Sequence, residues 1–192
     1  IQTSIDSAGQ SDTILVSNGT YYENVILNVQ KITLRGPYAN QLNEEVIIDA
    51  QDNGIAVTIS KADIKLFGFN ITNSFEWEDP FNSSGIRILS DNNQIKHNRI
   101  TESYTGILID SSDNNQVWEN EIDNVDIGIL VTKSDDNSIS SNEILDSDLA
   151  DIQVTSLGYT KGSQNNNIHN NLGIELIEFI DSDNNVLNDQ DI

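Results

Sequence analysis

Apolar and polar residues alternate along short segments of this chain, and the segments recur at a fixed interval. Residues 106–109 read Gly-Ile-Leu-Ile, and residues 128–131 read Gly-Ile-Leu-Val, 22 positions later. A period of two over three to five residues predicts a β-strand, and no helical period separates these segments. Short strands that return every 22 residues predict a parallel β-helix with one coil per repeat, because a single coil cannot bury its apolar side chains alone.

Two sequence markers define the repeat. The first, Gly-Ile-x-Ile or a close variant, begins at Gly54, Gly85, Gly106, Gly128 and Gly173, and residues 151–154 fit the same place without the glycine. The second, Asn-x-(Ile/Val)-x-x-Asn, spans residues 93–98, 115–120, 137–142 and 166–171. Coils stacked about 4.8 Å apart would align these segments into inward aliphatic columns. The predicted columns are Ile107, Ile129, Ile152 and Ile174 with Ile109, Val131, Val154 and Leu176 beside them; Val117, Ile139 and Ile168; and Ile100, Ile122 and Ile144.

The last asparagine of the second marker falls at one corner of every coil. A side-chain amide at such a corner can bond to the coils above and below, and it can satisfy the backbone of a tight turn with positive φ. The predicted ladder consists of Asn98, Asn120, Asn142 and Asn171.

The 192 residues are expected to form a single all-β domain. Residues 1–9 are predicted to cap the first coil as a short amphipathic segment. Two intervals exceed the repeat, so residues 73–84 and 156–164 are predicted to be inserted loops. No comparable cap is evident after Asp189, and an open β-helix end exposes unpaired strand edges. This favours a longer parent protein or an end that docks on a neighbour.

The charge balance limits the possible partners. Nine Lys and Arg against 31 Asp and Glu give a net charge of −22, which repels nucleic acid and anionic membrane surfaces. No apolar run reaches membrane-spanning length, so no membrane insertion is expected. The lack of Cys excludes disulfides and thiolate metal sites. A start at Ile1 rather than Met favours a processed chain, and sequons at Asn18, Asn70 and Asn82 agree with an extracellular or cell-surface location.

Three segments outside the markers carry a family resemblance. They are residues 1–27, IQTSIDSAGQSDTILVSNGTYYENVIL, residues 31–36, KITLRG, and residues 64–74, IKLFGFNITNS. With the repeats they resemble the right-handed parallel β-helix repeats of the NosD-like group, which includes carbohydrate-binding and sugar-hydrolase domains. The opening is also similar to the start of pectin methylesterases. The resemblance implies a right-handed, single-stranded parallel β-helix, but this scaffold carries lyases, hydrolases, adhesins and structural rods, so it assigns no activity.

Catalytic motifs of the related enzymes are largely missing. The Gln-Asp-Thr-Leu and Asp-Phe-Ile-Phe-Gly segments expected of a pectin methylesterase do not occur, and only Asp135-Asp136 matches the polygalacturonase set. A lyase needs a base, for which Lys96, His97 and Arg99 are weak candidates, although strand alternation points Lys96 and His97 toward solvent. A role in copper delivery, as the NosD name suggests, does not fit a chain without Cys or Met.

Acidic residues recur at another corner. Asp91, Asp113 and Asp135 are 22 residues apart, directly before the polar turns of successive coils. Asp is a common turn former, which explains the pattern structurally. Stacked carboxylates also repel one another unless they are solvated or bridged, so the same residues are weak candidates for Ca²⁺ ligands.

Two features suggest contact surfaces. Leu108 and Leu130 occupy outward strand positions in adjacent coils, where they form either a partner interface or a patch covered by a loop. The first inserted loop contains Phe75, Trp77 and Phe81 among acidic residues. These aromatic rings either contact a sugar or a cation, or fold down over Leu108 and its neighbours.

The leading functional hypothesis is a non-enzymatic extracellular or cell-surface structural or adhesive β-helix module. Such a module would self-assemble or bind envelope glycans, with Ca²⁺ as a candidate cofactor. The alternative is a polysaccharide lyase or glycoside hydrolase that acts on an acidic polysaccharide at the groove beside residues 75–81. Two observations favour the first hypothesis. The repeat is nearly uninterrupted, and the sequence contains no identifiable set of catalytic residues.

Overall fold

A computed structural model describes residues 1–37, 45–75, 79–156 and 162–187. The elements of this described part are α1 (Gln2–Asp6), β1 (Thr13–Leu15), β2 (Gly19–Tyr22), β3 (Val25–Leu27), β4 (Thr33–Arg35), β5 (Val46–Asp49), β6 (Val57–Ile59), β7 (Lys65–Phe67), β8 (Asn70–Thr72), β9 (Ser84–Ile88), β10 (Gln94–Lys96), β11 (Arg99–Asp110), β12 (Gln116–Trp118), β13 (Glu121–Thr132), β14 (Ser138–Ser140), β15 (Glu143–Thr155), β16 (Asn167–His169), β17 (Ile177–Ile180) and β18 (Val186–Leu187).

The strands form a three-sided parallel β-solenoid. Face 1 is an eight-stranded sheet in the order β1-β4-β7-β10-β12-β14-β16-β18. The second sheet bends at a corner, because β11, β13 and β15 each run through it. Before the corner, these strands join β2, β5 and β8 in face 2; after it, they join β3, β6, β9 and β17 in face 3. Every pairing between these strands is parallel, as the 22-residue repeat predicted.

The interior of the solenoid is filled with aliphatic columns. Ile107 aligns with Ile129 and Ile152 on face 3, and all three side chains are fully buried. The columns predicted for the other faces are also present, namely Val117, Ile139 and Ile168 on face 1 and Ile100, Ile122 and Ile144 on face 2. Burial of one such side chain stabilises the fold by about 1.5–3 kcal/mol relative to exposure.

The predicted register is wrong in the coil after β15. Ile152 pairs with Ile177 and not with the predicted Ile174, and Leu176 is 43% exposed instead of inward. Asp151 causes the shift, since its buried Oδ2 accepts hydrogen bonds from the backbone N–H groups of Glu175 at 2.6 Å and Leu176 at 2.7 Å. These bonds hold the residues before Ile177 in the corner.

The predicted alignment of the marker that begins at Gly54 with the marker of the next coil is also wrong, by two residues. Val57, rather than the predicted Ile55, pairs with Ile86. Thr58 therefore takes the outward place beside Arg87, and Ala56 is fully buried. The preceding corner contains two consecutive residues at positive φ, Gln51 and Asp52, which delay the start of the strand.

The glycines of the remaining markers permit close approach between coils. A Cβ on Gly106 would lie 2.6 Å from the carbonyl oxygen of Gly128 and 2.6 Å from Cγ2 of Ile122. Gly128 meets its next coil in the same way, at 2.4 Å from the carbonyl oxygen of Asp151. A larger residue at either position would push adjacent coils apart, so the glycine is required by packing.

Asparagine ladders flank face 1 on both edges. At the edge with face 2, the side-chain Oδ1 of Asn120 accepts the backbone N–H and the Nδ2 of Asn98, each at 3.1 Å. Asn120 donates to Asn142 in the same manner, and Asn142 donates to Asn171. The positive φ falls on the residue before each ladder asparagine, as at His97 with φ 51°. A second ladder, which the sequence analysis did not assign, consists of Asn93, Asn115, Asn137, Asn166 and Asn185.

The N-terminal segment covers the first coil. The helix α1 buries Ile5 completely, and the carboxamide of Gln2 pairs with the edge strand β3. Its Oε1 accepts the N–H of Ile26 at 2.7 Å, and its Nε2 donates to the carbonyl of Ile26 at 3.2 Å. One side chain thus satisfies backbone groups that an open edge would expose. No helix in the described ranges is long and apolar enough to cross a membrane.

Candidate functional site

The three candidate bases do not converge on one site. Lys96 ends β10 on face 1, His97 lies at the corner, and Arg99 begins β11 on face 2. His97 is half exposed, and its Nε2 lies 3.1 Å from Oε2 of Glu119 in the next coil. The structure therefore distributes these side chains over three different parts of the surface.

Arg99 is paired with two carboxylates. Its Nε donates to Oε1 of Glu121 at 2.8 Å, and its Nη2 donates to Oδ2 of Asp123 at 3.2 Å. The hydrogen bond to Glu121 raises the pKa of the Arg99 guanidinium and outweighs the effect of its partial desolvation. The two carboxylates thus favour the protonated form of Arg99.

The acidic corner forms a third ladder. Oδ1 of Asp91 accepts the backbone N–H of Asp113 at 2.8 Å, and Oδ1 of Asp113 accepts that of Asp135 at 2.7 Å. Oδ1 of Asp135 in turn accepts the N–H of Gln164 at 2.9 Å. Each carboxylate thereby fixes the turn of the coil above, which accounts for its 22-residue recurrence. No group of three His, Asp or Glu side chains within the described ranges is placed to hold a metal ion.

Leu108 and Leu130 are not an exposed interface. Both side chains are buried, and with Ile127 they form a small apolar cluster on the outside of face 3. Phe81 and Tyr104 pack against this cluster. Of the two alternatives, the structure thus supports the covered patch, because Phe81 of the inserted loop packs on it.

A cluster of charged side chains lies beside this cover, and the sequence analysis missed it. Arg87 Nη2 donates to Oδ2 of Asp110 at 2.7 Å, and Lys133 Nζ lies 3.4 Å from Oδ1 of the same residue. Arg87 Nη1 donates to the carbonyl of Phe81 at 2.7 Å, and both cations lie within 6 Å of the Phe81 ring centre. The signal was present, since Arg87, Asp110 and Lys133 are each 23 residues apart.

Arg87, Asp110 and Lys133 form what we call the Asp110 cluster, in which the Asp110 carboxyl group is ionised. Its burial by itself raises the pKa of the carboxyl group. Hydrogen bonds from Arg87 and Ser111, together with the attraction of Lys133, outweigh the burial and lower the pKa below its ordinary value. The Asp110 cluster therefore anchors the Phe81 loop with a charged network.

A groove follows the corner between faces 2 and 3, which we call the corner groove. Its first cavity has a volume of about 450 Å³. Phe75 lies at this cavity with 43% of its surface exposed, and its ring centre is 6.3 Å from that of Tyr104. Trp77, predicted to share the site, lies outside the described residues. The polar lining comprises Asp52, Asn73, Glu102, Ser103, Asn124, Asp126 and Asp148.

A second cavity continues the corner groove along the solenoid axis. It has a volume of about 660 Å³ and shares Asp148 with the first. Leu145, Leu149 and Leu176 line it, and all three are more than one-third exposed. The corner groove therefore changes from a polar and aromatic half to an apolar and acidic half.

The three sequons differ in accessibility. Asn18 and Asn82 are exposed, whereas Asn70 is half-buried in β8. Asn82 Nδ2 donates to Oδ2 of Asp79 at 2.7 Å, within the turn that presents Phe81.

The coils, ladders and corner groove together define a parallel β-solenoid with an elongated surface groove. Residues 53–191 match the family described as the right-handed β-helix region. The chain belongs to this right-handed β-helix family, as the sequence predicted. The finer resemblance to the NosD-like group remains a prediction.

Several solved structures are similar to this chain in fold. An alginate lyase from Paenibacillus sp. str. FPU-7 has a TM-score of 0.73 and 17% identity, covering 97% of this chain and 72% of its own. A pectin methylesterase variant in complex with a hexasaccharide has a TM-score of 0.55 and 13% identity, covering 93% and 75%. A pectin methylesterase from Yersinia enterocolitica has a TM-score of 0.52 and 12% identity, covering 96% of this chain and 89% of its own. No curated protein sequence matches the chain significantly.

Proposed function

We propose that this chain is an exported, non-enzymatic β-helix module that binds polysaccharide in the corner groove. The observation that carries the proposal is the exposed ring of Phe75, which lines a polar cavity and has the ring of Tyr104 beside it. A sugar ring has an apolar C–H face and a rim of hydroxyl groups. An aromatic ring suits the face, and the surrounding amides and carboxylates suit the rim.

The charge of the corner groove narrows the ligand. Four carboxylates line the first cavity, from Asp52, Glu102, Asp126 and Asp148. They would repel a uronate polymer, so neutral or amine-bearing sugars fit this groove best. The similarity in fold to an alginate lyase and to pectin methylesterases supports a carbohydrate ligand in general.

The proposal is tested by calorimetric titration with oligomers of a neutral β-glucan, of chitosan and of polygalacturonate. We expect binding to at least one of the first two, and a tenfold loss in Phe75→Ala, because one aromatic contact contributes about 1–1.5 kcal/mol. Tyr22→Ala is the control, since Tyr22 is 64% exposed and does not line the first cavity. Binding that Phe75→Ala leaves unchanged would overturn the assignment of the groove.

The second candidate function is cleavage of an acidic polysaccharide. The Asp110 cluster favours it, because Arg87 and Lys133 provide two cations beside an ionised carboxylate on face 3. The enzymes of similar fold also support it. Incubation with alginate and polygalacturonate, followed at the absorbance of unsaturated products and by reducing-end assay, tests this candidate. Activity abolished in Lys133→Ala would support it, whereas no product from the unmodified chain would remove it.

Self-association is a further part of the proposed function. The apolar half of the corner groove supports it, since Leu145, Leu149 and Leu176 are exposed close together. Bridging of the acidic surface by Ca²⁺ would assist such contacts, because Ca²⁺ accepts carboxylate oxygens in flexible geometry. An assembling, glycan-binding module at the cell surface would combine both activities.

A further inference from the structure

Face 1 differs from the rest of the surface in charge. Its eight described strands contain no Asp or Glu, although the whole chain has 31. By contrast, β13, at the start of its face 2 portion, reads Glu-Ile-Asp. Acidic residues do occur at the corners beside face 1, but none lies on the sheet itself. Among the residues that the structure describes, the strands of face 1 therefore form a sheet surface without carboxylates.

Cationic and aromatic side chains alternate across face 1. The third residues of β4, β7, β10 and β12 pair in register as Arg35, Phe67, Lys96 and Trp118. They point outward, because the middle residue of each of these strands is fully buried. Lys96 Nζ lies 5.5 Å from the ring centre of Phe67 and 5.2 Å from that of Trp118. Adjacent strands are about 4.8 Å apart, so the row repeats at a short, regular interval.

A cavity of about 300 Å³ lies beside this row. Thr33, Lys65 and Gln94, the first residues of their strands, line it together with Phe67 and Lys96. The site thus combines two ammonium groups, an amide, a hydroxyl and an aromatic ring. Neither Lys65 nor Lys96 forms an ion pair with a carboxylate anywhere in the described ranges. Among the described residues, no carboxylate therefore neutralises either ammonium group.

We infer that face 1 is a second binding surface, for a carboxylate-bearing polysaccharide that lies along the solenoid axis. Sugar rings stack on Phe67 and Trp118, and carboxylates bind the ammonium groups of Lys65 and Lys96. The rigid sheet, held by asparagine ladders along both edges, presents these groups at a constant spacing that suits a repeating polymer.

The net charge of −22 acts on face 1 mainly through the carboxylates at its corners. Charges farther than about 8 Å are largely screened at physiological ionic strength, so a ligand on face 1 meets the ammonium groups of the sheet directly, and only the nearest corner carboxylates, such as Asp63 and Glu119, oppose it. The corner groove, with its four carboxylates, cannot serve the same ligand. The two surfaces therefore select sugars that differ in charge, and one chain can connect two different polymers.

The test is a calorimetric titration of the full chain with an oligogalacturonate, with polyglutamate, with single-stranded DNA and with a neutral glucan oligomer. The unmodified chain is expected to bind the oligogalacturonate more tightly than the other three. Lys65→Gln/Lys96→Gln should lose at least tenfold in affinity, and Trp118→Ala should lose several-fold. Lys31→Gln/Lys61→Gln removes the same charge from corner positions and should keep most of the affinity.

Several outcomes would overturn the inference. Equal binding of polyglutamate or DNA would show a general anion surface without sugar recognition. Equal losses in both double variants would show that only net charge matters, and Trp118→Ala without effect would remove the stacking contact. Phe75→Ala separates the two proposals, because it should leave oligogalacturonate binding unchanged while it weakens binding in the corner groove. Circular dichroism of each variant verifies that the outward substitutions preserve the fold.

Discussion

Substitution of Asn120 by Ala provides a quantitative test of the ladder between faces 1 and 2. Asn120 is 2% exposed, and its side chain makes five hydrogen-bonding contacts. Oδ1 accepts two from Asn98, and the two N–H groups of Nδ2 are shared among three acceptors, the carbonyl oxygens of Ile95 and Trp118 and Oδ1 of Asn142. At a net value of about 1 kcal/mol each, and with the Asn98 N–H left unpaired, the loss is about 3–5 kcal/mol.

Equilibrium unfolding in urea, followed by far-ultraviolet circular dichroism, measures this loss. With a slope of about 3 kcal/mol/M, the midpoint should fall by about 1–2 M. Asn167→Ala is the matched control, because Asn167 is exposed on the outer surface of β16, and it should change stability by less than about 0.5 kcal/mol.

A second variant separates hydrogen bonding from packing. Asn120→Asp preserves shape but places a carboxylate oxygen where Nδ2 faces three acceptors. It should be at least as destabilising as Asn120→Ala at neutral pH and should partly recover when acid protonates the carboxyl group. A loss below 1 kcal/mol in Asn120→Ala, or one equal to the Asn167→Ala control, would refute the reasoning.

Three further predictions follow from packing, charge and the acidic surface. Gly106→Ala should lower the free energy of unfolding by about 2–4 kcal/mol, because its Cβ would meet the carbonyl of Gly128 at 2.6 Å, and urea unfolding measures the change. Asp110→Asn should destabilise the fold at pH 7; because the folded-state pKa of Asp110 is lowered, this difference persists above about pH 4 and disappears as the pH falls through that pKa, in a series of unfolding curves. Light scattering with negative-stain electron microscopy should show oligomers in Ca²⁺ that dissociate in chelator; a monomer under both conditions would contradict self-association.

The parts of the fold that repeat strictly were predictable from sequence. Ile107, Ile129 and Ile152 follow markers that keep their spacing closely, so counting residues was sufficient to align them. Alignment by residue spacing failed where a corner contains extra residues, because such residues do not change the pattern of apolar positions. Ile174 was predicted to be the next inward residue. However, the carboxylate of Asp151 accepts the backbone N–H groups of two corner residues, and Ile177 occupies the inward position instead.

The candidate site was less predictable, because function depends on outward residues. The sequence placed Leu108 in an outward row but left open whether Phe81 covers it. Prediction of the Asp110 cluster would have required a search at a spacing of 23 residues, one more than the repeat. The row on face 1 was recoverable in principle, since Lys96 and Trp118 occupy the same position within two copies of the second marker, but Phe67 precedes the first copy of that marker.

Because the central coils are equal in length, the length of the solenoid can change in steps of one coil. Gln116 pairs directly with Ser138, and the backbone N–H of Asn93 bonds to the side chain of Asn115 as that of Asn115 bonds to the side chain of Asn137. Excision of residues 116–137 would therefore join two equivalent positions and shorten the rod by one rung without a change of face. Duplication of the same segment would lengthen it by one rung. Gene rearrangements in units of 66 base pairs can thus set the distance between whatever is attached at the two ends of the rod.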